Sequence, residues 1–177
     1  MTIRKVAIDR GHGGRDPGAV GFVREIDVVY PWGNALFAHL LLAGFEPFFT
    51  HADPRPREKV SIGARVRQAN RVGADLFISV HANGVEDPRA TGSEVWIYRR
   101  DSAFAFEIAE KVAPVLAMTF PDRGVKTNTS FGVLRRTKMP AVLLETGFVT
   151  NEGDARFLIE RYLEQVTGVV DVLRGYK

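Results

Sequence analysis

Cysteine is absent from the 177 residues. That excludes disulfides, thiolate zinc knuckles and a cysteine nucleophile, so any bound metal must sit on His, Asp or Glu. Long apolar runs are missing as well. The longest, Leu40-Leu41-Leu42-Ala43-Gly44-Phe45, is far short of the ~20 residues that a membrane span needs, and no integral membrane contact is expected. Charge of one sign is scarce: the formal net charge is +3, and the basic residues fall in short clusters (Arg4-Lys5, Arg99-Arg100, Arg135-Arg136 with Lys138). Such clusters suit solvated strand ends and helix faces better than a nucleic-acid stripe, so no nucleic-acid partner is expected. A pI near 9.4 favours encounter with an anionic polymer without identifying one. Met1 runs almost directly into a strand-like segment, which leaves no room for a secretory leader. The expectation is a soluble chain made in the cytoplasm.

A hydrophobic content of 45% over this length suits one domain, with neither repeats nor low-complexity tracts. Pro54-Arg55-Pro56-Arg57 reads as a surface loop rather than a linker. Short β-branched runs alternate with helical patterns, which points to an α/β fold: a mostly parallel sheet of about six strands flanked by helices on both faces. The strands are expected at Arg4 to Asp9, Glu46 to His51, Asp75 to Val80, Ser93 to Tyr98, Gly132 to Leu134 and Ala141 to Leu144. Helices are expected at Asp27 to Ala43, with Pro31 in the first turn, at Ser61 to Val72, at Ser102 to about Met118 and at Asn151 to Leu173. Gly44 and Gly73 stop the first two, and Gly168 blurs the end of the last.

In such sheets, functional groups collect beyond the carboxyl ends of the strands. The first strand runs into Asp9-Arg10-Gly11-His12-Gly13-Gly14, the third into His81-Ala82-Asn83, and the last into Glu145-Thr146-Gly147. Glu25 stands before the first helix. Two imidazoles and a carboxylate form a familiar catalytic zinc set that leaves one position open for water, and Glu145 then remains as a base. Asp9 is a candidate to orient a ligand histidine from behind. Glu25 is equally well read as a helix N-terminal acid facing the macrodipole. The glycines around His12 allow close approach of a ligand, but the Walker and Rossmann spacings are missing.

Several segments, in order and over nearly the whole chain, give the sequence a specific resemblance. They are Ile8-Asp9 with Gly11-His12-Gly13-Gly14; Asp16-Pro17-Gly18-Ala19 and Gly21; Glu25; Arg65 with Ala69-Asn70; Ala74 to Asn83; and Pro140 to Phe148. The chain resembles the type 3 class of zinc-dependent N-acetylmuramoyl-L-alanine amidases. The resemblance implies one Zn²⁺ held by His12, Glu25 and His81, with Glu145 as the catalytic carboxylate. It implies peptidoglycan as substrate, cut at the amide between N-acetylmuramic acid and L-alanine by attack of water. Arg10 stands where that family carries proline, and Val29-Tyr30-Pro31-Trp32 replaces its usual Asn-Leu helix start. A regulatory plug helix known from some members has no counterpart in the short loops.

Other residues take plainer readings. His39 is a surface or packing residue, Arg65 and Asn70 are structural, and Trp32 and Trp96 are core or rim aromatics. His51 is left without a ligand role, and Asn83 is a candidate substrate contact. Two rival functions remain on the sequence: a metal-free glycan hydrolase using Glu25 and Glu145 as its acid pair, and a non-catalytic wall-binding module. The expected setting is a monomeric single-domain enzyme without a separate wall-binding domain. It would act at the cell wall, as in a phage endolysin released by a holin.

Overall fold

The computed structural model describes residues 1–51, 60–118 and 120–177. The expected loop at Pro54 to Arg57 lies outside the described residues. Six strands form one sheet: β1 (Lys5–Arg10), β2 (Glu46–Phe49), β3 (Leu76–Asn83), β4 (Ser93–Ile97), β5 (Asp122–Thr127) and β6 (Ala141–Phe148), in the order β2-β1-β3-β6-β4-β5. Neighbours pair in parallel except β4 with β6, which run antiparallel. The six helices are α1 (Glu25–Leu42), α2 (Ile62–Val72), α3 (Ala103–Ala117), α4 (Gly132–Arg136), α5 (Glu152–Glu160) and α6 (Tyr162–Arg174).

The period-two alternation of each strand sorts its side chains between two layers. Val6, Ile8, Leu76, Ile78, Val80, Val142 and Leu144 join the larger core with α1, α3 and α6. Ala7, Phe77, Ala141 and Leu143 face the opposite way and pack with Val66 and Ala69 of α2 and Val133 and Leu134 of α4. His81 and Glu145 continue this second set along β3 and β6, so both side chains emerge on the α2/α4 side of the sheet. A third cluster of Val28, Ala82, Val149 and Leu158 closes the strand ends beneath α5.

Four expectations need correction. Residues 132–134 form the start of α4 instead of a strand: Val133 and Leu134 are both buried, and adjacent residues share a side on a helical turn but not on a pleat. β5 was not anticipated, because Asp122-Arg123-Gly124-Val125-Lys126-Thr127 has the charge and glycine of an exposed edge strand. The last helix is two, α5 and α6, parted at Arg161 with φ −131°. Gly168 does not end α6; a Cβ there would stand 3.1 Å from Val115 Cβ, so the glycine sits where α6 crosses α3 closely. α1 begins at Glu25, two residues early, which moves Pro31 past its first turn.

Among the described residues, no helix is long and apolar enough to cross a membrane. The two departures from the family pattern prove to be one packing unit. The buried Arg10 lies with its guanidinium 3.8 Å from the Phe49 ring centroid and 4.5 Å from that of Tyr30, and its Nη1 donates to Asn34 Oδ1 at 2.7 Å. Gly33 leaves room for it, since a Cβ there would meet Arg10 Cγ at 2.7 Å.

Candidate metal centre

His12, Glu25 and His81 converge at the carboxyl ends of β1 and β3, their donor atoms all within 4.8 Å of one another. Glu25 is the hub. Its Oε2 lies 3.0 Å from His12 Nε2, and its Oε1 lies 2.8 Å from His81 Nδ1. Each oxygen also accepts a backbone N–H, Oε2 from Ala19 at 2.9 Å and Oε1 from Ala82 at 3.1 Å. Burial pushes the Glu25 pKa up, but the bonds and charges of His12 and His81 outweigh it and hold the group well below the usual carboxylate range. Burial likewise depresses His12, yet the carboxylates of Glu25 and Asp16 raise it overall.

Local backbone explains the convergence. His12 adopts φ +65°, which a non-glycine residue seldom holds unaided. Arg65 of α2 supplies the support: its Nη2 donates to the His12 carbonyl at 3.1 Å, and Nη1 lies 3.5 Å from Asp9 Oδ2. Gly11 is required by a close approach, since a Cβ there would fall 2.5 Å from His81 Cε1. Gly18 is required twice over: φ is +69°, and a Cβ would collide with Glu25 Oε2 and His12 Cδ2.

Asp9 does not orient a ligand histidine. It is fully buried and accepts from Thr50 Oγ1 at 2.6 Å and Ser79 Oγ at 2.8 Å, beside Arg65, so its task is to hold the scaffold. The carboxylate next to His12 Nδ1 is Asp16, at 3.1 Å, which also accepts from Gly18 N–H. The signal for it lay in the i,i+4 spacing from His12. His51 is buried against Tyr30, its Nε2 3.1 Å from the phenol oxygen, and does not join the cluster. Asn70 is structural as expected, donating to the Arg136 carbonyl and accepting from Lys138 N–H. Trp32 is a core residue bonded to Gln165, whereas Trp96 packs edge-on against Phe131 at the cleft.

Glu145 faces His81 across the β3/β6 register. Together with Asn83, Phe131, Val133 and Leu143 it lines the cleft of about 410 Å³ that also contains the three metal-ligand candidates. Its Oε2 is buried with no hydrogen-bond partner. Burial, then the charges of Glu25 and Glu94, push its pKa well above the ordinary value, and Lys126 opposes them. Glu94, opposite Glu145 on β4, accepts from Arg123 Nε at 2.8 Å and from Lys126 Nζ.

The arrangement fits a divalent metal such as zinc. Two imidazole nitrogens and one carboxylate are the donor set of catalytic zinc sites, the Asp16 carboxylate stands 3.1 Å from the second nitrogen of His12, and the buried carboxyl of Glu145 stands in the same cleft.

The family described as N-acetylmuramoyl-L-alanine amidase matches residues 6–170. The chain is 36% identical over 154 residues to N-acetylmuramoyl-L-alanine amidase LytC of Bacillus subtilis, covering 85% of this chain and 30% of that protein. It is 36% identical over 157 residues to the sporulation-specific N-acetylmuramoyl-L-alanine amidase of the same organism, covering 87% and 60%. It therefore spans about a third to three fifths of the length of these relatives. Among solved structures, N-acetylmuramoyl-L-alanine amidase AmiC2 of Nostoc punctiforme superposes with a TM-score of 0.87 at 35% identity, over 98% of this chain and 96% of that one.

Proposed function

Because the chain belongs to the N-acetylmuramoyl-L-alanine amidase family, we propose that it is a zinc-dependent peptidoglycan hydrolase that cleaves the amide between the lactyl group of N-acetylmuramic acid and the L-alanine of the stem peptide. The observation that carries this reading is the meeting of His12, Glu25 and His81 with the unpartnered Oε2 of Glu145 in one cleft.

His12, Glu25 and His81 would hold the ion. Zn²⁺ there supplies Lewis acidity, polarising the scissile carbonyl and making a water molecule a stronger acid. Glu145 does the proton work: its unpartnered Oε2 stands in the same cleft as the ligands, where it can accept a proton from the attacking water and return it to the departing L-alanine nitrogen. Glu25, which accepts backbone N–H groups of Ala19 and Ala82 on its two oxygens, is held in its charged form to face the ion. Phe131, Val133 and Leu143 supply an apolar wall that strengthens the electrostatics of the cleft. All four groups come from one chain, which suits a monomer and a single catalytic domain.

The rival acid pair fares poorly, because both oxygens of Glu25 are already engaged by His12, His81 and two backbone N–H groups, which leaves it badly placed to act as a nucleophile or base. The test is digestion of purified peptidoglycan with identification of the new termini. Fresh L-alanine amines that disappear with EDTA and return with zinc are expected. Reducing sugar ends, or activity indifferent to EDTA, would sink the reading.

A further inference from the structure

A second hollow of about 600 Å³ opens beside the cleft, lined by Val20, Phe22, Gly84, Val85, Glu86 and Thr150. Ala19 and Gly84 line both hollows, so the two adjoin across this pair, and Ala19 is the residue whose N–H binds Glu25. The hollow exposes apolar side chains to an unusual degree: Val20 is 62%, Phe22 61% and Val85 45% exposed. These are not packing failures of the loop, whose path is pinned by Phe22 N–H to the Val149 carbonyl at 2.8 Å and Gly21 N–H to the Val23 carbonyl at 3.0 Å. Its floor is tight as well, since a Cβ on Gly84 would stand 2.5 Å from Ala19 Cβ.

We infer that this hollow is the subsite for the glycan half of the substrate, seating an N-acetylhexosamine against the Phe22 ring, and this rests on the amidase reading above. A pyranose ring offers apolar C–H faces and a rim of hydroxyls. The hollow answers with an exposed aromatic face, two valines, and the polar Glu86 and Thr150 at its edge. Charge assigns the other half. The stem peptide carries carboxylates, and no cationic side chain among the described residues lines this hollow, where Glu86 would repel them. Beyond Glu145, on β4 and β5, two cations, Arg123 and Lys126, share the single carboxylate of Glu94, which leaves one positive charge uncompensated within this trio. The substrate therefore lies with its neutral sugar over Phe22 and its anionic peptide toward Lys126, the scissile amide between them.

The experiment compares two substrates of the zinc-loaded enzyme: a muramyl peptide, and the same peptide carrying only a lactyl group in place of the sugar. Phe22→Ala is expected to lower the ratio of kcat/KM for the muramyl over the lactyl peptide by about three- to tenfold, the range of one lost ring contact. Phe22→Trp, which keeps a ring, is expected to preserve the ratio. In parallel, a GlcNAc-MurNAc disaccharide added to the zinc-loaded protein is expected to shift the NMR signals of Phe22, Val85 and Thr150. An unchanged ratio in Phe22→Ala, or shifts confined to residues outside this hollow, overturns the subsite while leaving the amidase reading intact. Failure of the unsubstituted enzyme to cleave either peptide overturns both.

Discussion

Glu145→Gln separates the electrostatics of the site from its catalysis. In the metal-free chain the Glu145 carboxyl is buried, lacks a partner at Oε2 and faces the charges of Glu25 and Glu94, so the fold favours its neutral form. In the unfolded chain the same group ionises near its ordinary pKa of 4.5. A group with a raised folded pKa stabilises fully below the unfolded value and loses that contribution as pH rises toward the folded value. Each pH unit between the unfolded and the folded pKa costs the fold about 1.4 kcal/mol. Glutamine keeps the shape and never ionises. Glu145→Gln should therefore match the parent near pH 4 and exceed it increasingly as pH rises, by about 1.4 kcal/mol, or roughly 2–4 °C in Tm for a domain of this size, for each pH unit until Glu145 ionises in the folded chain. Using the difference between the two proteins cancels the titrations of Glu25 and His12, which they share. The assay is thermal or urea unfolding in EDTA across this pH range, paired with wall-lysis activity in zinc. Activity should fall about a hundredfold to ten-thousandfold. A variant that is less stable than its parent at neutral pH, or a stability difference flat with pH, would refute the reasoning.

Three further outcomes follow from the same geometry. Gly11→Ala places a Cβ 2.5 Å from His81 Cε1 without a left-handed backbone to strain, so zinc affinity by calorimetry should drop about tenfold or more while far-UV circular dichroism is unchanged. Asp16→Asn keeps an acceptor for Gly18 N–H but removes the charge beside His12 Nδ1. Zinc affinity should fall about tenfold, and an unaltered affinity would show that His12 needs no brace. Asp154→Ala strips the acceptor from Gly92 N–H, Phe148 N–H and the Thr91 hydroxyl at a site only 2% exposed, and should cost about 2–4 kcal/mol in urea unfolding with little change in the zinc affinity of the folded fraction.

The legible part of this protein is the part written by periodicity and strand ends. His12 and His81 could be found because each follows an apolar strand at the useful edge of the sheet, and Glu145 because a carboxylate after Ala-Val-Leu-Leu needs a reason to be there. Glu25 gave no such sign: its place before α1 suits a dipole interaction equally well, and the family likeness was needed to choose. Asp9 misled because adjacency in sequence to His12 resembles adjacency in space. The φ of +65° at His12 turns the chain so that Asp16 arrives beside the imidazole, while Asp9 stays within the sheet. α4 and β5 were missed for a shared reason. Both are short and carry few apolar residues, so their conformations are decided by neighbours, Val66 and Ala69 for one and the β4 backbone for the other.

The sheet order has a consequence for how the molecule comes into being. β6 is the last strand in the chain, yet it lies in the middle, bonded to β3 on one side and β4 on the other. Until it arrives, β2-β1-β3 and β4-β5 are two separate half-sheets with an open seam. The three candidate metal ligands belong to the first half, complete by Asn83, whereas Glu145 rides on the strand that closes the seam. In the order of synthesis, His12, Glu25 and His81 thus all precede the strand that carries Glu145. On the proposed reading, the group that would do the hydrolysis is delivered by the same event that completes the fold.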